Sequence, residues 1–169
     1  MSNAIPATDT DAAFDYRTLR NAFGCFPSGV TAICAMIEGE PAGMAASSFV
    51  SVSLDPPLVL VCIQNSSATW RKLKGAPRIG VSVLGEEHHR ACSQLAAKSG
   101  DRFERLEWSR TEGGAVLLEG AAVSLDCSVV EEIVAGDHQL VLLRVQELQF
   151  QPMVNPLVFH GSRFRKLAI

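Results

Sequence analysis

Residues 123–145, VSLDCSVVEEIVAGDHQLVLLRV, contain the pattern that decides the fold class. Over residues 123–129, apolar and polar residues alternate, which is the spacing of a strand with one buried face. Gly136-Asp137 is a typical hairpin turn, and an apolar run over residues 140–145 follows it. The stretch therefore predicts two antiparallel strands joined by a tight turn.

Outward from this hairpin, the chain contains more strand than helix. An amphipathic helix is predicted from Tyr16 to Phe26, capped by Asp15 or a neighbour and ended by Pro27-Ser28-Gly29. Further strands are predicted over residues 30–37, 45–52, 58–63, 78–84, 157–160 and 163–167, helices over 66–74 and 86–97, and turns over 39–41 and 55–57. Many strands with few intervening helices predict a mostly antiparallel barrel or sandwich with a few helices.

Length and composition limit the class of protein. The chain has 169 residues, of which 47% are hydrophobic and 20% charged, so it can bury the core of one domain and is not a disordered chain. Residues 1–13 are interpreted as a flexible tail and residues 14–169 as the domain. The net charge of −3 indicates no basic surface for nucleic acid or for an anionic membrane. The longest mid-chain apolar stretch, residues 58–63, is far shorter than the ~20 residues of a membrane span.

Several kinds of site are not indicated. The five cysteines form no C-x-x-C pair and are interpreted as reduced thiols, most of them buried, in a cytoplasmic protein. The start of the chain also lacks the basic and apolar segments of a secretory signal. No histidine spacing suits a metal, so no metal site is predicted. The glycine motifs of Rossmann and P-loop nucleotide sites and the G-x-S-x-G motif of hydrolases are absent.

A cluster of small residues, GMAASSF at positions 43–49, is the first candidate ligand site. Small side chains let a flat ligand approach the backbone, whose N–H and C=O groups can then bind ring heteroatoms. The alternative is a strand packed tightly against its neighbour.

Three hydroxyl groups form the second candidate, in the stretch NSSATW at positions 65–70. Ser66, Ser67 and Thr69 lie where a helix is predicted to begin, and a phosphate suits the N–H groups and hydroxyls at such a place. The alternative is ordinary helix capping, which needs only one of the three hydroxyls.

Two further candidates lie in predicted loops. Arg102 and Phe103 place a cation beside an aromatic ring, which could serve a phosphate and an adjoining ring, and the alternative is a solvated loop. His138 lies at the hairpin tip, where an imidazole could bind a phosphate or an amide of a ligand. The alternative is a histidine that only satisfies its turn.

Together and in this order, these stretches resemble the flavin reductase family, whose members have an FMN-binding split barrel. The resemblance covers residues 16–167 and also includes FPSGVT at 26–31, SVSLDPPL at 51–58 and PLVFH at 156–160. Each stretch is weak alone, whereas their joint order and spacing are specific. The resemblance implies a mostly β fold, an antiparallel Greek-key split β-barrel with a few peripheral helices. It implies an enzyme that transfers a hydride from NADH or NADPH to FMN or FAD.

The resemblance also implies roles for individual residues. The isoalloxazine ring would be lined by Met44, Ala45, Ala46, Ser47 and Ser48. The flavin phosphate would be bound by Ser66, Ser67 and Thr69, with Arg102 and Phe103. The nicotinamide nucleotide would be contacted by His138 and Phe159. No catalytic acid or base is expected, because the two cofactors carry the chemistry.

The family further implies a homodimer and a partner, a flavin-dependent monooxygenase that receives reduced flavin. One alternative is a non-catalytic or electron-transfer FMN-binding protein of the same fold. A split-barrel oxidase of the pyridoxamine-phosphate type is a second alternative, against which the hairpin at residues 136–138 argues. The chain departs from the common family pattern at Ser82, Leu143 and Phe159, where Asn, Gly and Tyr are frequent. The Phe159 departure leaves the choice between NADH and NADPH open.

Overall fold

Alternating and continuous apolar runs form an antiparallel β structure in the computed structural model, which describes residues 14–167. The tail predicted at residues 1–13 lies outside the described residues. The strands are β1 Ser28–Gly29, β2 Thr31–Ile37, β3 Glu40–Ala46, β4 Val50–Leu54, β5 Pro57–Gln64, β6 Ile79–Val83, β7 Trp108–Arg110, β8 Val116–Leu118, β9 Val123–Ala135, β10 His138–Phe150, β11 Val158–His160 and β12 Arg163–Arg165. The helices are α1 Tyr16–Phe23, α2 Ala68–Leu73 and α3 His89–Leu95, with a 3₁₀ turn at Glu86–His88.

The central sheet has seven strands in the order β3-β2-β6-β9-β10-β5-β4. Every neighbouring pair in it is antiparallel. Two small sheets, β1-β11-β12 and β7-β8, flank it. The mostly β, antiparallel class predicted from the sequence is therefore confirmed, with helices at the periphery.

The sheet curls because its two edge strands are joined by a very short connection. β3 lies at one edge and β4 at the other, yet only residues 47–49 link them. Such a link spans at most about 3.6 Å per residue, so the two edges lie close together at this point. Ser48 Oγ donates to the carbonyl of Cys62 on β5 and accepts from its N–H, both at 2.9 Å. The sheet thus curls into the split barrel.

Two apolar cores lie on the two sides of β2, whose first five residues are all buried. Ile33 and Ala35 face the barrel interior, where Val61, Trp70 and Leu143 also lie. Residues of alternate parity, Ala32 and Cys34, face a second cluster that includes Leu84, Leu95, Phe103, Val116 and Leu157. A strand buried on both faces is expected to be continuously apolar, as β2 is after its first residue, Thr31.

One predicted strand and one predicted turn are wrong. The strand predicted over residues 45–52 is two strands, because β3 ends at Ala46 and β4 begins at Val50 on the opposite edge of the sheet. The turn predicted over residues 39–41 lies instead at Glu38 and Gly39, whose φ angles are 53° and 87°. Pro41 belongs to β3, where an edge position tolerates the missing N–H. The short strands β1, β7 and β8 were not predicted, and β1 lies where the sequence predicted only the end of the first helix.

The first helix is confirmed, although it ends at Phe23 rather than Phe26. Asp15 caps it by accepting hydrogen bonds from the N–H and the hydroxyl of Thr18, and these bonds lower the pKa of the Asp15 carboxyl. No residue of α1 is buried, and the aromatic side chains of Tyr16 and Phe23 are largely exposed. The apolar side of this helix therefore remains uncovered by the described chain.

Candidate functional site

A cleft of about 770 Å³ opens where the β3–β4 connection, the start of α2 and the β9–β10 hairpin meet. Ligand sites commonly have volumes of ~300–1,000 Å³. Of the predicted site residues, those that line the cleft are Met44, Ala45, Ala46, Ser47, Ser48, Ser66, Ser67, Thr69, Arg102 and His138. The fold therefore brings together residues from four separate stretches of sequence.

The small-residue stretch forms one side of this cleft as a tightly packed strand end. Gly43 is buried, and a Cβ built on it would lie 2.4 Å from Cys34 Sγ and 3.0 Å from Phe103 Cζ. Thr31 Oγ1 donates to the carbonyl of Ala46 at 3.0 Å. The hydroxyl of Ser48 is engaged with Cys62, as described above, so Ser48 acts as a positioning residue. The packed strand and the flat-ligand wall are thus compatible properties of the same segment.

The hydroxyl groups of the cluster have different hydrogen-bond partners. Ser67 is the N-cap of α2, because its Oγ accepts from the N–H of Trp70 at 3.1 Å. Its hydroxyl also lies 3.7 Å from Met44 Sδ, a weak acceptor. Thr69 Oγ1 accepts from Arg102 Nη1 at 2.8 Å. Capping therefore accounts for Ser67 and leaves the other two hydroxyls unexplained by it.

Arg102 joins α2 to β3 at the margin of the cleft. Besides Thr69, its Nη1 donates to the carbonyl of Gly43 at 2.9 Å. A guanidinium carries five N–H donors, more than these two bonds use, and it always carries a positive charge. Held in this way beside Thr69, the side chain can bind an anion with donors already oriented.

The hairpin tip is fixed to the segment that carries the hydroxyls. Asn65 donates from its side-chain amide to the carbonyl of Gly136 and from its backbone N–H to that of Asp137, both at 3.0 Å. His138 Nδ1 lies 2.7 Å from Asp137 Oδ1, and this hydrogen bond, followed by the imidazole charge, lowers the pKa of Asp137. His138 is therefore oriented at the rim of the cleft by its neighbour.

Phe103 and Phe159 lie outside the main cleft. Phe103 is buried and packs edge-on against Trp108, with ring centroids 6.3 Å apart. Phe159 lines an adjoining apolar recess of about 260 Å³, which shares Ala45, Ala46, Ser47 and Ala96 with the cleft. Its ring packs edge-on against Phe164 at 5.6 Å. Phe159 thus borders the small-residue wall from its other side.

Several lining residues were missed by sequence reasoning. They are Arg20, Cys62, Ile63, Gln64, Ala68, Leu95, Ala96 and Lys98. They come from α1, β5, α2, the end of α3 and the loop that follows it, and no local motif marks them. Among these, burial raises the pKa of the Cys62 thiol, so it stays protonated at neutral pH. A thiol in that state is a poor nucleophile.

Within the described residues, neither a metal-binding cluster nor a membrane-spanning helix is found. Across residues 14–167, no three His, Cys, Asp or Glu side chains come together as a metal would require. Over the same residues, every helix lacks the length and apolar character needed to cross a membrane.

Comparison with known proteins agrees with this geometry. Residues 23–168 match the family described as flavin reductase like domain. A flavin reductase of Pseudomonas putida is 36% identical over 95% of each chain. The flavin-dependent monooxygenase reductase subunit HsaB of Mycobacterium tuberculosis is 34% identical over 90% of this chain and 83% of its own. The Streptomyces globisporus NADH:FAD oxidoreductase SgcE6, solved with NAD and FAD fragments, has a TM-score of 0.86 and 38% identity, covering 91% of this chain and 93% of that one. The chain therefore belongs to the flavin reductase-like family.

Proposed function

We propose that the protein is an NAD(P)H:flavin oxidoreductase, which transfers a hydride from NADH or NADPH to FMN or FAD. The observation that carries this proposal is the cleft, in which a wall of small residues, a cluster of hydroxyl and guanidinium donors and a histidine-bearing hairpin meet. The names of the relatives, flavin reductase and NADH:FAD oxidoreductase, support it.

The chemistry of the donors fits a flavin. Residues 44–48 present backbone groups and small side chains to the cleft, which suits a flat heteroaromatic ring. Ser66, Ser67, Thr69 and Arg102 offer hydroxyl and guanidinium donors together, which suits a phosphate. These two features lie in one cleft, as the ring and phosphate of one molecule require.

A bound flavin supplies the hydride acceptor, and the residues of this chain bind, orient and shield the reactants. His138, at the rim, would contact the nicotinamide nucleotide, and Phe159 would form the apolar boundary behind the small-residue wall. We assign no catalytic acid or base, because positioning two reactants accounts for the rate that the protein must supply.

Reduced flavin would pass to a flavin-dependent monooxygenase. The support is the relative HsaB, which is named as the reductase subunit of such an enzyme. The second candidate function, an FMN-binding electron carrier of the same fold, would retain its flavin and would not oxidise NADH or NADPH.

A homodimer is the assembly that the surface supports. β4 is an edge strand of the sheet, and Val50, Val52 and Leu54 on it are exposed, Leu54 to 94%. Unpaired strand edges with exposed apolar side chains commonly mark protein interfaces. We also propose that residues 14–169 form one domain, and that the setting is the reducing cytoplasm, because all five cysteines are free thiols.

The function is tested by following oxidation of NADH and NADPH with FMN, FAD, riboflavin or no flavin added. We expect turnover only when a flavin is present. Tight flavin retention without nucleotide oxidation would favour the electron carrier, and absence of turnover with every combination would overturn the reductase.

A further inference from the structure

A second lobe of about 390 Å³ continues the cleft beyond Thr69 and Arg102. The residues that line both volumes are Ala68, Thr69, Lys98 and Arg102. The lobe extends from them along the outer edge of β3, at Pro41, Ala42 and Gly43, to Lys72 and the loop at residues 100–103. A ligand whose phosphate lies beside Thr69 and Arg102 can therefore extend from the cleft into the lobe.

The lobe carries positive charge that a flavin with one phosphate does not require. Lys72 lines the lobe but not the main cleft, while Lys98 and Arg102 line both. Among the ion pairs of residues 14–167, none involves these three side chains. Three unpaired cations at the exit from one phosphate site suit a second phosphate in continuity with the first.

The remaining walls of the lobe suit a nucleoside. The ring of Pro41 and the buried ring of Phe103 provide apolar surface in the lining. Asp101 is the acidic residue in the lining, and its Oδ1 accepts from the N–H of Phe103 at 2.8 Å. A carboxylate repels phosphate, whereas it accepts hydrogen bonds from ribose hydroxyls or from an adenine amino group. The lobe thus combines three cations with one carboxylate acceptor, that of Asp101.

We propose that this lobe, lined by Lys72, Lys98, Asp101 and Phe103, binds the adenylate half of FAD, so that the protein prefers FAD to FMN. The inference rests on the proposed function, since it extends the flavin site of that proposal. FAD differs from FMN by an added adenylate group attached to the flavin phosphate. Lys72 and Lys98 would bind the added phosphate, and Lys72 is the residue that distinguishes the two flavins.

The test measures dissociation constants for riboflavin, FMN and FAD by isothermal titration calorimetry, with wild type, Lys72→Glu and Arg71→Glu. Arg71 is the matched control, because it precedes Lys72 on α2, is exposed, and lines neither volume. We expect wild type to bind FAD more tightly than FMN. Lys72→Glu should weaken FAD about tenfold, equal to ~1.4 kcal/mol, and FMN by less than about twofold. Arg71→Glu should leave both unchanged.

Other outcomes overturn the inference in distinguishable ways. If wild type binds FMN and FAD with equal affinity and reduces both with NADH or NADPH, the lobe does not bind adenylate, while the proposed reductase function still holds. A higher KM for NADH or NADPH in Lys72→Glu, with FAD binding unchanged, would assign the lobe to the nicotinamide nucleotide instead. Absence of binding by any flavin would overturn the proposed function together with this inference.

Discussion

In our proposal, the hydrogen bond between Thr69 and Arg102 orients the donors that bind the flavin phosphate. Thr69 Oγ1 accepts from Arg102 at 2.8 Å, so each side chain orients the other beside the cleft. Thr69→Val keeps the shape of the side chain and removes its hydroxyl. Since a hydrogen bond to a charged group contributes ~1.5–3 kcal/mol, we expect FMN affinity to fall by about tenfold or more. Riboflavin, which lacks the phosphate, should bind as before.

Flavin titrations of both ligands check this expectation. Thr111→Val is a suitable control, since Thr111 Oγ1 accepts from the N–H of Ala115 and lines neither the cleft nor the lobe. An equal loss of FMN and riboflavin affinity in Thr69→Val would show that the hydroxyl only supports the local structure.

His138 belongs to the nucleotide side of the site in our proposal. His138→Ala should raise the KM for NADH or NADPH by roughly three- to tenfold, the worth of one hydrogen bond, with kcat and flavin affinity nearly unchanged. The reason is that the ring lies at the rim, oriented by Asp137, and supports no other part of the cleft through its side chain.

Steady-state titrations of nucleotide at saturating flavin measure this effect. His89→Ala is the matched control, because His89 packs on Phe164, with ring centroids 5.2 Å apart, and does not line the cleft. A parallel loss of flavin binding in His138→Ala would place His138 in the flavin site instead.

For individual residues, the sequence predicted most members of the cleft but not the hydrogen-bond partners of each side chain. Nearly all predicted site residues line the cleft. They could be predicted because their motifs follow one another in the order found in the family. The capping role of Ser67 and the bond between Arg102 and Gly43 depend on contacts between distant segments, which local composition does not contain. The burial of Phe103 against Trp108 could not be predicted either, because it too depends on a contact between separate segments.

At the scale of elements, two glycines mark where strands approach other parts of the chain too closely for a side chain. A Cβ on Gly80 of β6 would lie 2.0 Å from the carbonyl oxygen of Val116, whereas one on Gly43 would meet the side chain of Cys34. We expect Gly43→Ala to lower the free energy of unfolding by ~1–3 kcal/mol through overpacking. Adding Cys34→Ala should recover most of that loss.

Gly80→Ala is the companion variant. The added Cβ would meet the backbone of Val116, which cannot move aside as a side chain can. We therefore expect a larger loss in the free energy of unfolding than for Gly43→Ala, and Cys34→Ala should not reduce that loss. Urea denaturation of the single and double variants measures both effects as a coupling free energy. Independent, additive losses for Gly43→Ala and Cys34→Ala would contradict the packing argument.

The elements also show where sequence patterns fail. The alternation in residues 123–129 correctly predicted the strand β9, since strands have period two. It did not predict the burial, because Asp126 is buried along with Leu125 and Cys127 and its Oδ1 lies 3.5 Å from Arg78 Nη1.

The sequence at 45–52 contains no signal that the chain crosses there from one edge of the sheet to the other. Residues 47–49 make that crossing, and the hydrogen bonds of Ser48 to β5 hold it in place. The sequence around Ser48 does not indicate which distant backbone group its hydroxyl will bind.

On the scale of the whole molecule, the exposed apolar side chains of the described residues are the place where we propose that a partner binds. β4 presents Val52 and Leu54 at an edge of the sheet, and α1 leaves its aromatic side chains outside the described core. Exposed apolar side chains on an unpaired strand edge commonly mark an interaction site. A second copy of the chain, seated on β4, is the partner that we propose.

We expect the double variant Val52→Asp, Leu54→Asp to be a monomer under conditions in which wild type is a dimer, because charges on an apolar interface lose their hydration there. Light scattering coupled to size-exclusion chromatography gives the masses, and circular dichroism confirms that the variant is folded. Met153→Asp is the control, since Met153 is 90% exposed and lies outside β4. A wild-type monomer, or a double variant that stays dimeric, would mean that β4 is not the dimer interface. Met153→Asp should remain dimeric, because a lone exposed apolar side chain is ordinary on a protein surface.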